Sequence, residues 1–251
     1  MNRSLTDVFS RELPPERQGE AAHRYVLGVY NLLERLTGEF PEVLFEGCSG
    51  GGGRFDAGML YYFPQIWCSD DTDAIERLKI QYGTSFGYPI RTMGSHVSAV
   101  PNHQTGRTTP LHTRGIVAMS GSFGYELDPQ KLSEAEKEEI RQQILTFRRH
   151  QDLIFYGEYY RLTNAMTDDY FTVWLFAAKD GSAALLNVVV VAPKANPYPI
   201  HVHLKGLQPE AMYRETESGS VYSGAALMYG GYTLPILTGD YPGFQCRFER
   251  I

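Results

Sequence analysis

The stretch Trp67–Asp73, which reads WCSDDTD, places three carboxylates within four positions of the chain. A short apolar run, residues 65–68, leads into the stretch, and a helical pattern over residues 73–82 follows it. Active sites of (β/α) folds lie where the strands end and the chain turns toward the next helix. The stretch therefore predicts a strand, a turn and a helix that together present an acid.

The three carboxylates have different predicted roles. Asp70 follows the apolar run most closely, so a catalytic role and a capping role both remain open for it on position alone. Asp71 and Asp73 are predicted to cap the helix, because aspartate favours the N-cap and the first turn, where the helix dipole stabilises its charge. Asp73 and Glu76 lie three residues apart, which is the spacing of a capping box.

Up to about His150, short apolar runs alternate with longer helical patterns, which is typical of a parallel sheet or barrel. Only about four such units occur, whereas a (β/α)8 barrel has eight in roughly 250 residues, so this region is predicted to form half a barrel. The predicted helices are His23–Leu36, Asp73–Tyr82 and Ser133–Phe147 (with a Ser133/Glu136 capping box), and the strand-like runs are Val43–Phe45, Gln65–Cys68 and Ile116–Met119.

From about Tyr159 the apolar period changes to two, which predicts strands and no helix. Residues 179–182, Lys-Asp-Gly-Ser, predict a hairpin turn. The predicted strands are Tyr170–Ala178, Ala183–Ala192, Pro199–Leu204, Tyr222–Met228 and Phe244–Glu249. The predicted fold class is thus α/β plus all-β: a partial (β/α)8 barrel over residues 1–157, then a small antiparallel β-sandwich over residues 158–251.

Composition excludes several classes of partner. The formal net charge of −6 and a pI near 5.7 argue against nucleic acid or an anionic membrane surface. The longest apolar run, residues 185–192, is too short to span a bilayer, and no signal-peptide pattern is present at the start. The odd cysteine count of 3 favours reduced thiols and a cytoplasmic setting.

A glycine-rich run, residues 46–56, also follows an apolar run. It lacks the Lys-Ser/Thr of a phosphate-binding loop, so it predicts either close backbone approach to a ligand or a flexible connection.

Cys48 lacks the partners of a thiol nucleophile. His201 and His203 alternate along a strand but have no third ligand, so neither a metal site nor a cofactor is predicted.

Several of these segments closely resemble glycoside hydrolase family 36 α-galactosidases. The segments are Cys48–Asp56, Trp67–Asp73, Ile75–Ser85, Met93–Ser98 and the helix end Tyr156–Gly157. The resemblance implies strands 5 to 8, the C-terminal half, of a (β/α)8 TIM barrel, followed by the family's small β-sandwich. It also implies a retaining glycosidase without a cofactor, in which Asp70 is the acid/base and Cys48 and Gly50 contact galactose hydroxyls.

The first residues carry a further expectation from the resemblance. In the family, Met-Asn-Arg follows directly after the nucleophilic aspartate, and this sequence begins Met1-Asn2-Arg3. We therefore expect a truncated gene product that starts one residue after its nucleophile, with Asn2 as a substrate-site residue and with no activity alone. Four βα units cannot close a barrel, so an unpaired strand edge and apolar helix faces are expected.

The function implied is hydrolysis of terminal α-galactosyl residues in melibiose- or raffinose-type sugars. Two alternatives stay open: an α-N-acetylgalactosaminidase or galactosyl transferase on the same scaffold, or a non-catalytic protein that binds sugar or a partner. The expected partner is a small α-galactoside, with no nucleic acid and no membrane. Family members of full length are expected to form homo-oligomers, in the form of tetramers.

Overall fold

The computed structural model describes residues 8–251. By its internal contacts the chain divides into two compact units, Met1–Asp70 and Asp71–Ile251. Within residues 8–251, no helix is both long enough and apolar enough to cross a membrane.

The first unit is built from two helices and a pair of short parallel strands. Its elements are a 3₁₀ turn Pro15–Arg17, α1 (Gly19–Glu39), β1 (Glu46–Gly47), α2 (Ala57–Tyr62) and β2 (Gln65–Trp67). β1 pairs with β2 in parallel. α2 begins at Asp56, whose side chain accepts a hydrogen bond from the Met59 amide. β1 and β2 thus run side by side in the same direction, and a loop follows the end of each strand.

Apolar side chains of α1 lie partly in solvent. Leu27 is 51% exposed and Leu32 is 53% exposed, and Leu44, which follows the helix, is 73% exposed.

The second unit opens with α/β structure. Its elements are α3 (Ala74–Thr84), a 3₁₀ turn Ile90–Thr92, β3 (Met93–Ser98), α4 (Leu111–Ala118), β4 (Ser122–Glu126), a 3₁₀ turn Pro129–Lys131 and α5 (Glu134–Tyr156). β3 and β4 pair in parallel. α5 begins with the predicted capping box, in which Ser133 and Glu136 exchange hydrogen bonds. Strand and helix alternate here as predicted.

The rest of the second unit is a sandwich of two antiparallel sheets. The strands are β5 (Glu158–Arg161), β6 (Phe171–Ala177), β7 (Ala183–Val190), β8 (His201–Val202), β9 (Met212–Glu215), β10 (Val221–Ser223), β11 (Tyr232–Thr233) and β12 (Gly243–Arg250). One sheet has the order β10-β9-β12-β7-β6-β5, and β11 pairs with β8 in the other. Their buried faces share one core, which includes Leu186, Leu204 and Phe248.

The α/β part of the second unit packs directly on its sandwich. Thr113 Oγ1 donates a hydrogen bond to the Tyr241 carbonyl at 2.7 Å. A Cβ at Gly243 would lie 2.9 Å from Ile116 Cδ1 and 3.0 Å from Thr113 Oγ1, so β12 approaches α4 closely at this point. Arg247 of β12 donates a hydrogen bond to the Arg149 carbonyl of α5 at 3.0 Å. These contacts tie both helices to the last strand.

Three sequence predictions are wrong in detail. Ile116–Met119 was predicted as a strand but belongs to α4 and its C-cap, because a short apolar run cannot distinguish a buried strand from a buried helix. Val43–Phe45 precedes the strand, which is formed by Glu46–Gly47. Tyr222–Met228 was predicted as a strand, but β10 ends at Ser223 and a π-helical segment, Ala226–Gly231, follows, where no helical structure was predicted.

Candidate active site

Asp70 is an exposed residue three positions beyond the last residue of β2. Trp67, at the end of that strand, is 8% exposed, and its indole Nε1 donates a hydrogen bond to Asp70 Oδ1 at 3.0 Å. The carboxylate is therefore held by a side chain of the strand that delivers it. Within residues 8–251, Asp70 Oδ2 has no hydrogen-bond partner on the protein. A carboxyl group that accepts a hydrogen bond on one oxygen, and whose other oxygen is accessible to a ligand, is suited to proton transfer.

The glycine run packs its backbone against the residues that carry Asp70. A Cβ at Gly51 would lie 2.7 Å from the Asp70 amide nitrogen and 3.0 Å from Ser69 Cα. A Cβ at Gly52 would lie 2.7 Å from the Cys68 carbonyl oxygen. Gly51 also has a φ of 74°, which favours glycine. The glycine run therefore packs closely against residues 68–70 and is not merely a flexible connection.

Cys48 and Gly50 lie on the same loop, and both are exposed. The Cys48 thiol is free, and Gly50 has a φ of 58°. Cys48 also lines a cavity of about 300 Å³, whose wall includes Tyr25 and Leu32 of α1. Arg54, at the end of the run, donates a hydrogen bond to the Tyr25 hydroxyl at 3.1 Å. The structure thus places Cys48, Gly50 and Asp70 on two loops that touch through Gly51 and Gly52. Asn2 lies outside the described residues.

Asp73 caps α3, as predicted. Its carboxylate accepts hydrogen bonds from the amides of Ile75, at 2.8 Å, and Glu76, at 3.3 Å. The reciprocal bond of a capping box is missing, because the Asp73 amide donates to Asp71 Oδ1 at 3.0 Å instead. Glu76 turns toward Arg107, with Nη2 and Oε1 3.5 Å apart. Asp73 is therefore structural, whereas Asp71, which was predicted to cap the helix, instead accepts from the Asp73 amide.

The two strand histidines have other partners. His203 Nδ1 lies 3.1 Å from the Met228 carbonyl oxygen, and His201 Nδ1 lies 3.1 Å from Thr233 Oγ1. Among residues 8–251, no group of three or more His, Cys, Asp or Glu side chains is placed to hold a metal ion.

Comparison with protein families shows which family the chain belongs to. The family model described as Melibiase matches residues 1–157. The model described as Glycosyl hydrolase family 36 C-terminal domain matches residues 171–248. The chain belongs to glycoside hydrolase family 36. The resemblance seen in the sequence is confirmed.

Individual family 36 relatives match along the whole chain. The bifunctional α-galactosidase/sucrose kinase AgaSK of Mediterraneibacter gnavus is 53% identical over 100% of this chain and 26% of its own length. The α-galactosidase AgaA of Geobacillus stearothermophilus is 50% identical over 100% of this chain and 34% of its own length. This chain therefore spans about a quarter to a third of the length of these relatives.

A solved family 36 structure confirms the fold class. A variant of AgaA from Geobacillus stearothermophilus, in complex with raffinose, superposes with a TM-score of 0.95 at 49% identity, over 100% of this chain and 35% of that chain. The predicted half of a (β/α)8 barrel followed by an antiparallel β-sandwich is therefore correct.

Sequence reasoning missed some residues that shape this family 36 site. No sequence pattern singles out Trp67, although an indole three residues before an acid can reach its carboxylate. Gly51 and Gly52 were not distinguished from their neighbours, because only the positions of Ser69 and Asp70 show which glycines are approached. Thr105 and Arg107 bind Asp73 from more than 30 positions away, and no local pattern signals such a contact.

Proposed function

We propose that the protein is a retaining α-galactosidase that removes terminal α-galactosyl residues from melibiose- or raffinose-type sugars, with Asp70 as its acid/base. One observation carries the proposal: Asp70 is exposed at a strand end, with one carboxylate oxygen bonded to Trp67 and the other unpartnered within residues 8–251. Relatives about 50% identical over all 251 residues are named α-galactosidases, and the AgaA variant was solved with raffinose.

In the first step of the proposed reaction, protonated Asp70 acts as the acid. Its proton passes to the glycosidic oxygen, the bond from that oxygen to the anomeric carbon breaks, and the bonding electron pair stays on the oxygen. A second carboxylate bonds to the anomeric carbon. In a retaining glycosidase the two carboxyl groups lie only about 5–5.5 Å apart. No residue among the described ones, 8–251, is assigned as that nucleophile.

In the second step Asp70, now a carboxylate, acts as the base. It takes a proton from a water molecule whose oxygen bonds to the anomeric carbon, while the galactosyl–nucleophile bond breaks and its electron pair returns to the nucleophile. Two inversions give net retention, so α-galactose is released. Cys48 and Gly50 are proposed to contact the galactose hydroxyls, and Asn2 to lie beside the nucleophile.

The setting of the protein is also part of the proposal. A reducing, cytoplasmic compartment is supported by the odd number of cysteines, Cys48, Cys68 and Cys246, which form no disulfide within residues 8–251. A tetramer is proposed at full natural length, on the family resemblance alone. The 251 residues alone are proposed to lack turnover, because a retaining mechanism needs the second carboxylate.

The test is hydrolysis of raffinose by the protein at its full natural length, followed by proton NMR. We expect α-galactose as the first product and loss of activity by at least about a hundredfold in Asp70→Asn. The matched control is Asp71→Asn, which keeps the oxygen that accepts from the Asp73 amide and should remain active. Absence of galactoside hydrolysis, with galactose binding retained, would instead support the non-catalytic alternative.

A further inference from the structure

The hydrogen bond between Trp67 and Asp70 joins a buried donor to an exposed acid. Nε1 of Trp67 lies 3.0 Å from Asp70 Oδ1. An indole nitrogen can only donate, and it cannot lose its proton under working conditions. Oδ1 must therefore remain an acceptor for as long as this bond exists. This restricts where a neutral Asp70 can carry its own proton.

We propose that Trp67 is a positioning residue that directs the catalytic proton of Asp70 to Oδ2. The proposal rests on the proposed function, because it describes how the acid/base is prepared. In a neutral carboxyl group the carbonyl oxygen is a better acceptor than the hydroxyl oxygen. The bond from Trp67 therefore favours the form with the carbonyl at Oδ1 and the proton at Oδ2, the oxygen without a partner within residues 8–251.

The same bond serves both steps of the reaction. When Oδ2 has given its proton to the glycosidic oxygen, Asp70 is a carboxylate, and the bond from Trp67 to Oδ1 becomes charge-assisted and stronger. Oδ2 then accepts the proton of the attacking water, and the neutral form is restored. Oδ1 stays bound throughout, so the carboxyl group does not rotate between giving and taking the proton.

Both ends of this hydrogen bond are held in place. Trp67 is the last residue of β2, whose parallel pairing with β1 and burial fix the indole. The backbone of Asp70 is held by the close approach of Gly51. A bond between two restrained groups sets an orientation, whereas a bond between mobile groups would not.

Leaving-group dependence separates this role from general support of the fold. Methyl α-galactoside has a poor leaving group that needs the proton of Asp70, whereas 2,4-dinitrophenolate leaves without one. In Trp67→Phe, at full natural length, we expect kcat/KM for methyl α-galactoside to fall about 10- to 100-fold. For 2,4-dinitrophenyl α-galactoside, whose departure needs no proton, we expect a fall of less than about threefold.

A matched control is offered by Trp174, the other tryptophan. It is 4% exposed, and its Nε1 has no hydrogen-bond partner within residues 8–251. Trp174→Phe therefore makes the same chemical change without breaking a hydrogen bond, and it should affect both substrates equally. If Trp67→Phe does not fold, benzothienylalanine at position 67 keeps the ring shape and removes only the donor.

Asp70→Asn separates failure of this inference from failure of the proposed function. If Asp70→Asn loses methyl α-galactoside hydrolysis selectively and Trp67→Phe does not, Asp70 is the acid and the role of Trp67 is overturned. If Asp70→Asn affects kcat/KM for both substrates equally, Asp70 is not the acid, so its proposed role is wrong and the role of Trp67 is overturned with it. Selective loss in both variants supports both proposals.

Discussion

Arg107 forms an ion pair with Asp73, with Nη1 2.6 Å from Oδ1. Asp73 is 2% exposed and caps α3, and Thr105 Oγ1 also donates to it. Burial opposes ionisation of this carboxyl, but the hydrogen bonds from Thr105 and Arg107 outweigh it, so the pKa of Asp73 is lowered. The helix that follows Asp70 thus begins on a buried carboxylate that is paired with a cation.

Removing this carboxylate should destabilise the protein. Asp73→Ala loses both the cap and the ion pair, and we expect the free energy of unfolding in urea to fall by about 2 to 4 kcal/mol. Arg107→Met keeps the cap but leaves the buried Asp73 carboxylate without its cation, so it should also lower the free energy of unfolding by about 2 kcal/mol or more. Glu138→Gln is the control, because its pair with Arg141 is exposed and should contribute less than about 1 kcal/mol. Equal effects of Asp73→Ala and Glu138→Gln would contradict this account.

The stabilisation by Asp73 should depend on pH in a defined direction. Because the pKa is lower in the folded state, the contribution is fully present above the unfolded pKa of about 4. It is lost as pH falls through the folded value. We expect the stability difference between the protein and Asp73→Asn to be constant above about pH 5 and to shrink below about pH 4. Urea unfolding at several pH values measures it, and a difference unchanged at the lowest pH would refute the lowered pKa.

Substitution of Gly51 should reduce activity more than substitution of another glycine with a similar φ. Gly51→Ala introduces strain at a φ of 74° and a Cβ 2.7 Å from the Asp70 amide nitrogen. Gly219 has a similar φ of 75°, but a Cβ there meets nothing within 4 Å. Gly219→Ala should lose about 1 kcal/mol of stability through its φ alone, and Gly51→Ala should lose more because its Cβ also meets backbone atoms. Only Gly51→Ala should lose raffinose hydrolysis, by at least about tenfold, because it displaces Asp70. Equal activity in the two variants would show that the loop does not position the acid.

Cysteine reactivity should report the proposed sugar site. Cys48 is exposed on the glycine loop, whereas Cys246 is buried, and burial raises the pKa of its thiol. We expect iodoacetamide to modify Cys48 much faster than Cys246, because the thiolate is the reactive form and access is required. Galactose should slow the modification of Cys48 if that residue contacts the sugar. Peptide mass spectrometry measures both rates, and no protection by galactose would argue against that contact.

The sequence predicted elements best where local chemistry and long-range packing agree. The Ser133 capping box and the hairpin turn at residues 179–182 are local signals, and both were correct. Ile116–Met119 was misassigned because four apolar residues suit a buried helix as well as a strand. β4 was missed because Ser122–Glu126 is only half-buried along most of its length and shows no clear alternation.

The candidate site was predictable only in part, because several of its contacts depend on how the chain folds and have no local sequence signal. Asp70 was suggested by its place after a strand and was assigned a role by family resemblance. The bond from Trp67 spans three residues but depends on how the turn folds. The approach of Gly51 to Asp70 joins positions 19 residues apart, and nothing in either segment alone encodes it.

The identity of Asp70 as the acid/base is tested most directly by chemical rescue of Asp70→Ala at full natural length. p-Nitrophenyl α-galactoside should still form the galactosyl intermediate, because its leaving group does not need the proton. Azide should then attack in place of water, since it needs no base. We expect faster turnover with azide and α-galactosyl azide as the product, identified by NMR. β-Galactosyl azide, which marks loss of a nucleophile, or no rescue by azide would contradict it.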